Sequence, residues 1–242
     1  MKTIFKITTF FLAFILSAFT FAQGGFEMDT IKTSNGNLEI TFIGHATLMF
    51  SFGGKIIHVD PWTRFTDYKD FPKADIILVT HEHMDHLDKK AIDTLKKDGT
   101  QIVFTEACAQ QIGDGIVMKN GDEKTISGFK IKAVPAYNLA PDTPFHPKGK
   151  GNGYIITLGD KRVYVAGDTE NIPEMKALKG IDIAFLPMNR PYTMTPEMVA
   201  DAAKAFRPKI LYPYHYSQTD PSKLVDLLKD EKDIEVRIRE MQ

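Results

Sequence analysis

The densest chemistry in this chain is the run His81-Glu82-His83-Met84-Asp85-His86, directly after the apolar stretch Asp75-Ile-Ile-Leu-Val-Thr80. Imidazole nitrogens and carboxylate oxygens are the side-chain donors that hold divalent transition metals. In an extended segment alternate side chains share a side, so His81 and His83 can reach one ion. Asp85 and His86 are expected at the opening of the following helix, where the chain reverses and their side chains can meet a second ion. Holding so many donors together at the end of a buried strand is costly without a cation. Metal binding lowers the pKa of water from ~16 to about 7, so hydrolysis near neutral pH is the chemistry on offer. Two neighbouring ions can hold one hydroxide and polarise the attacked carbonyl or phosphoryl oxygen. That suits an ester, lactone, amide or phosphodiester.

Such donors need rigid elements behind them. Leu38–Ile43 and Thr47–Phe52 read as strands, and Gly53-Gly54 as a hairpin turn into Lys55–Asp60. The stretch 75–80 lacks alternation, which suits a strand covered on both faces. Periodicity predicts a helix over His86–Lys97, with Leu87, Ala91, Ile92 and Leu95 on one side and Gly99 closing it. Further strands are expected at Gln101–Thr105, Phe129–Ala136, Ile181–Leu186, Ile210–Tyr214 and Ile234–Ile238. A second hairpin joins Tyr154–Leu158 to Arg162–Ala166 through Gly159-Asp160-Lys161. Helices are expected at Pro196–Phe206 and Ser222–Leu228. Loops are short and no linker-like tract interrupts them, so one α/β domain is the simplest organisation.

The segment 80–86 resembles the His-x-His-x-Asp-His signature of the metallo-β-lactamase superfamily, and the likeness extends over most of the chain. Gly167-Asp168-Thr169 follows a hairpin strand as the family's Gly-Asp-Thr does, and His215 closes the strand Ile210–Tyr214 as the family's last His does. Gly44-His45-Ala46-Thr47, Asp60-Pro61 and Tyr192-Thr193-Met194-Thr195-Pro196 are similar to the branch containing ascorbate-6-phosphate lactonase and other metal-dependent hydrolases. The resemblance implies a four-layer αββα sandwich and two divalent metal ions, zinc first, with manganese or iron as alternatives. It assigns His81 and His83 to metal 1, Asp85, His86 and His215 to metal 2, and Asp168 to a bridge between them. It gives Asp60 the support of a ligand imidazole. It also gives His45 proton transfer or substrate contact, with Asp85 as a proton acceptor besides its ligation. The bridging Asp168 separates the chain from the classical zinc β-lactamases, so antibiotic hydrolysis is not expected.

One position departs from the family pattern. Its third metal-1 ligand is a His after a mid-chain strand, but here Phe129–Ala136 leads into Tyr137-Asn138. Either Asn138 replaces that ligand, or His146 reaches in from the loop, or water completes the site. His146 is the expected ligand, because imidazole binds zinc better than an amide oxygen does. Asn138, Arg190 and Tyr192 are candidate substrate contacts, with Trp62 and Tyr68 on neighbouring loops. His58 is expected to be structural, on the same side of its strand as Asp60. The lone Cys108 reads as a small buried apolar residue.

Composition narrows the classes. The chain has 242 residues, 43% hydrophobic and 25% charged, with a net charge of −1, which excludes a disordered polyelectrolyte and a dedicated nucleic-acid binder. One cysteine excludes an intramolecular disulfide framework. Met1–Ala22 has Lys2 and Lys6, the apolar stretch Phe10–Leu16, and small residues Thr20 and Ala22 before Gln23. That is the layout of a signal peptide, so residues 23–242 form the expected exported, periplasmic or secreted domain, with no stable membrane anchor after cleavage. The expected activity is hydrolysis of a small ester, lactone or phosphoester. The alternatives are a phosphodiesterase acting on a lipid head group or nucleotide, and a metal-binding protein without catalysis.

Overall fold

Strand periodicity separates elements covered on one face from those covered on both, and the layers follow from that difference. The computed structural model describes residues 20–21, 25–139 and 145–241; the expected signal segment, Thr20–Phe21 apart, lies outside them. The first sheet runs in chain order: β1 (Thr20–Phe21), β2 (Glu27–Thr33), β3 (Gly36–Gly44), β4 (Thr47–Phe52), β5 (Lys55–Val59), β6 (Ile76–Leu78), β7 (Gln101–Phe104) and β8 (Ile116–Val117). It is antiparallel up to β5 and parallel from there on. The second sheet comprises β9 (Glu123–Ile126), β10 (Phe129–Ala136), β11 (Gly151–Leu158), β12 (Lys161–Val165), β13 (Ile183–Pro187), β14 (Ile210–Tyr214) and β15 (Glu235–Val236). It too begins antiparallel and is parallel beyond β12.

The unbroken apolar run of β6 is explained by cover on both faces. Ile76 and Leu78 join the core between the sheets, whereas Ile77 and Val79 join a second cluster with Ala91, Ile92 and Leu95 of α1 (Lys89–Leu95) and Cys108 of α2 (Glu106–Ile112). Between the sheets, Phe42 of β3 packs on Tyr212 of β14 with ring centroids 5.0 Å apart. On the far side of the second sheet, α3 (Pro173–Lys176), α4 (Pro196–Phe206) and α5 (Ser222–Leu228) cover β13 and β14 with Val199, Ala203, Phe206 and Leu224. The result is the αββα sandwich. Thr195 caps α4 by accepting from the Met198 N–H, and Pro196 occupies the first turn, where its missing donor costs nothing.

Two expectations shift. The first helix begins at Lys89, because the Asp88 carboxylate caps it by accepting from the N–H groups of Lys90 and Ala91. Asp85 and His86 therefore sit in a turn ahead of the helix, closed by His86 and Leu87 N–H groups that both donate to the His83 carbonyl. The strand β2 also went unforeseen. Only Ile31 among Glu27–Thr33 is buried, so the segment carries no apolar alternation and is a strand because it pairs with β3 from Glu27 to Thr33.

Candidate metal centre

Every expected ligand but His146, which comes from the loop between β10 and β11, lies just past the end of a strand, on one rim of the sandwich. His45 lies between β3 and β4, Asp60 follows β5, His81 to His86 follow β6, Asp168 follows β12 and His215 follows β14. Three of these residues turn sharply out of the sheet. His45, Asp60 and His215 have φ of 54°, 43° and 49°, a left-handed conformation that costs a non-glycine residue about 1–3 kcal/mol. Backbone hydrogen bonds hold them there. His45 N–H donates to the Met241 carbonyl at 3.1 Å, His215 N–H to the His45 carbonyl at 2.8 Å, and Asp60 N–H to the Leu78 carbonyl at 2.9 Å. Gly167 at φ 66° leads into Asp168, and a Cβ there would stand 2.8 Å from the Asn152 carbonyl oxygen. Its N–H donates to the Tyr214 hydroxyl at 2.9 Å, which ties the Asp168 turn to β14.

Asp168 stands at the centre. One carboxylate oxygen, Oδ2, lies 3.3 Å from His146 Nε2, 3.3 Å from His215 Nε2 and 4.0 Å from His81 Nε2. The other, Oδ1, lies 3.5 Å from His86 Nε2. Asp85 Oδ2 lies 3.0 Å from His45 Nε2, 3.7 Å from His86 Nε2 and 3.8 Å from His215 Nε2. His81 Nε2 and His83 Nδ1 approach to 3.1 Å. Donor atoms of His81, His83 and His146 form one close group, and those of His45, Asp85, His86 and His215 another, with Asp168 joined to His81 and His86 between them.

Partners behind the rings aim them. Asp60 is fully buried; its Oδ1 accepts from Thr80 N–H at 2.8 Å and its Oδ2 from the Thr80 hydroxyl at 2.7 Å and from His86 Nδ1–H at 2.8 Å. The Thr80 hydroxyl in turn accepts from His81 Nδ1–H at 3.1 Å. His146 Nδ1–H donates to Asn138 Oδ1 at 3.0 Å and faces the Tyr192 carbonyl at 3.2 Å. In all three rings this leaves Nε2 as the atom that faces Asp168. Thr80 had not been singled out, although a hydroxyl residue directly before the first ligand is the clue that sequence offers.

These residues fit a cation. The Nε2 atoms of His86, His146 and His215 and Oδ1 of Asp168 are buried and find no hydrogen-bond partner among the described residues. Two imidazole nitrogens on one tetrahedral zinc stand roughly 3.3 Å apart, close to the His81–His83 separation. Burial, reinforced by neighbouring histidines, holds His81 well below its usual range and His146 down at about 4, so both rings present the neutral form a metal requires. Burial, against the pull of His86, pushes the Asp168 carboxyl up to about 7, with Asp85 and Asp60 adding to the rise. Burial alone would lower His86, but Asp168 and Asp60 raise it to about 9. The cluster is short of positive charge, and divalent ions would supply it.

His146 therefore reaches the site from its loop and Asn138 stands behind it, its amide oxygen accepting from the His146 ring and from its backbone N–H at 2.8 Å. Asn138→Ala is expected to weaken metal binding about 10- to 100-fold at the His81–His83–His146 group while leaving the fold intact, as read by metal titration. Equal affinities in variant and wild type would remove Asn138 from that role. Tyr192 is half-exposed, tilted against Phe145 with centroids 4.8 Å apart, and lines the same cavity. Arg190 is held by Glu170, 2.7 Å away. Trp62 packs on His45 at 5.3 Å between ring centroids, whereas Tyr68 is buried and bonds the Trp62 backbone. His58 shares no surroundings with Asp60. It lies buried against Tyr68 and Phe71, bonded to the Pro72 carbonyl, because the left-handed turn at Asp60 ends the alternation. Cys108 is buried, and burial pushes its thiol up to about 11.

Comparison with known proteins identifies the family. A family model, the β-lactamase superfamily domain, matches residues 39–215. A UPF0173 metal-dependent hydrolase of Geobacillus sp. (strain WCH70) is 32% identical over 213 residues, covering 80% of this chain and 94% of its own. A crystal structure from Parabacteroides distasonis is 55% identical, with a TM-score of 0.87 over 90% of this chain and all of its own. The metallo hydrolase Igni18 of Ignicoccus hospitalis is 27% identical, with a TM-score of 0.71 over 84% of this chain and 95% of its own. The chain belongs to the metallo-β-lactamase superfamily and is one of its metal-dependent hydrolases.

Proposed function

We propose that this enzyme is exported and hydrolyses a small ester, lactone or phosphoester with two divalent ions, zinc being the metal its donors suit best. The carrying observation is the convergence of seven donors, four with buried and unpartnered atoms, from three separate strand ends and one loop. In this reading His81, His83 and His146 hold one ion, Asp85, His86 and His215 the other, and Asp168 lies between them. Divalent ions held there would supply hydroxide near neutral pH and polarise the substrate oxygen. Asp60, Thr80 and Asn138 fix the rings so that no reorientation is needed as charge develops. His45, whose Nε2 is 3.0 Å from Asp85 Oδ2, lines the cavity and can carry a proton between Asp85 and the leaving group. The Met1–Ala22 layout supports export, and none of the described helices is long and apolar enough to cross a membrane.

The test is removal and return of metal on the chain starting at Gln23. Chelation is expected to abolish hydrolysis of aryl esters and lactones, and zinc to restore it at two equivalents per chain. Activity that survives complete stripping, or two bound equivalents with no turnover of any ester, lactone or phosphoester, would overturn the proposal.

A further inference from the structure

The cavity over the cluster has a volume of about 290 Å³. Besides the histidine and aspartate donors it is lined by Phe145, Asn189 and Tyr192, and no lysine or arginine lines it among the described residues. Two cations flank these lining residues in the chain, and both are engaged elsewhere. Arg190 meets Glu170 at 2.7 Å, and Lys148 meets Glu174 at 2.9 Å and the Tyr137 hydroxyl at 3.1 Å. An anionic head group projecting away from the ions would find no cationic side chain to receive it. It would meet ring faces instead.

The distribution of exposed apolar side chains points the same way. The exposed large hydrophobic residues among those described are Met84, Leu139, Phe145, Tyr192 and Val225. Phe145 and Tyr192 line the cavity, and Met84 and Leu139 are the immediate neighbours of His83 and Asn138. All but Val225 thus belong to segments that carry the site, whereas such side chains scatter singly over an ordinary surface. Phe145 and Tyr192 are 40% and 45% exposed, so their tilted ring pair keeps much of its surface in contact with solvent. Covering aromatic surface of that kind is favourable for an apolar occupant.

We infer that the substrate is an uncharged carboxylic ester or lactone whose apolar substituent lies against the Phe145–Tyr192 ring pair, a specificity that rests on the hydrolase reading of the site. Neither ring is among the proposed metal ligands, so their removal separates substrate selection from metal binding.

The experiment is a series of 4-nitrophenyl acetate, butyrate and hexanoate on zinc-loaded enzyme. kcat/KM is expected to rise roughly three- to fourfold for each added methylene that reaches the rings. In Phe145→Ala and Tyr192→Ala the dependence on chain length should flatten to less than twofold per methylene, with zinc content equal to wild type. Tyr192→Phe, which retains the ring, should keep the wild-type slope. A flat series in the wild type would overturn the inference, as would an unchanged slope in both alanine variants. Faster turnover of 4-nitrophenyl phosphorylcholine than of the butyrate ester would do so as well. If zinc-loaded enzyme turned over phosphoesters but no ester or lactone, the hydrolase reading would stand and this inference alone would fail. Loss of turnover on every substrate would remove both.

Discussion

Asp168→Asn is expected to abolish hydrolysis while making the metal-free protein no less stable. The residue is 4% exposed and stands within 4.0 Å of four imidazole nitrogens, on His81, His86, His146 and His215. Asparagine keeps the volume but removes the anionic oxygen that can face two cations at once. Losing a group that merely orients a ligand already costs about 10- to 100-fold in metal affinity or activity. Loss of the shared carboxylate should exceed that range. The effect on the stripped protein has the opposite sign. Burial raises this carboxyl from 3.8 to about 7, so between those values the folded chain binds more protons than the unfolded one. Stability of the metal-free wild type therefore falls as pH rises through that window, and the variant is spared the fall. At pH 8 its metal-free melting temperature should equal or exceed that of wild type. With zinc, wild type should gain about 2.7 kcal/mol at a free concentration one hundred times Kd, and the variant far less. Calorimetry with and without zinc checks both halves; a variant that keeps the full zinc-induced gain would refute the bridging position.

Asp60→Asn should fold and yet bind metal more weakly at the Asp85–His86–His215 group. Asp60 never faces the cavity, but its two oxygens accept from Thr80 N–H, the Thr80 hydroxyl and His86 Nδ1–H, all between 2.7 and 2.8 Å. An amide offers one oxygen and one NH2 group to those three donors. If the NH2 group faces His86, Nδ1 must accept and the proton moves to Nε2, the atom directed at Asp168 and Asp85. A protonated Nε2 cannot ligate. The expected result is a loss of about 10- to 100-fold in metal affinity at the Asp85–His86–His215 group, with a comparable fall in activity. Asp60→Ala goes further by leaving buried donors unpaired, at a cost of about 1–3 kcal/mol for each. For a chain of this size that is a fall of roughly 2–4 °C in melting temperature per kcal/mol. Metal titration of Asp60→Asn against wild type decides the matter, and equal occupancy would show that Asp60 does not set the tautomer of His86.

Much of the site was legible because ligands are specified by side-chain type and local spacing. His81 and His83 come together because they are two residues apart in an open segment, and Asp168 and His215 follow recognisable strands. The apolar runs 75–80 and 210–214 announced the buried strands behind them. The helix start at Lys89 was harder to place, because Asp88 competes with Asp85 as a helix-initiating carboxylate and only its contacts with Lys90 and Ala91 show which one caps. β2 and the short helix α2 carried too little periodicity to be read, since each is held by its neighbours rather than by its own pattern.

By themselves, the residues along the chain determined the donor inventory, the strand ends that carry it and the hydrolytic chemistry those donors permit. Tertiary structure alone decided that His146, from a loop with no periodic pattern, meets the cluster while Asn138 orients it, and that Asp60 turns towards His86 while His58 does not. Spacing is a property of neighbours along the backbone. Which loop folds over a site, and on which side a left-handed residue points, depends on packing between segments tens of residues apart, and local sequence carries no record of that.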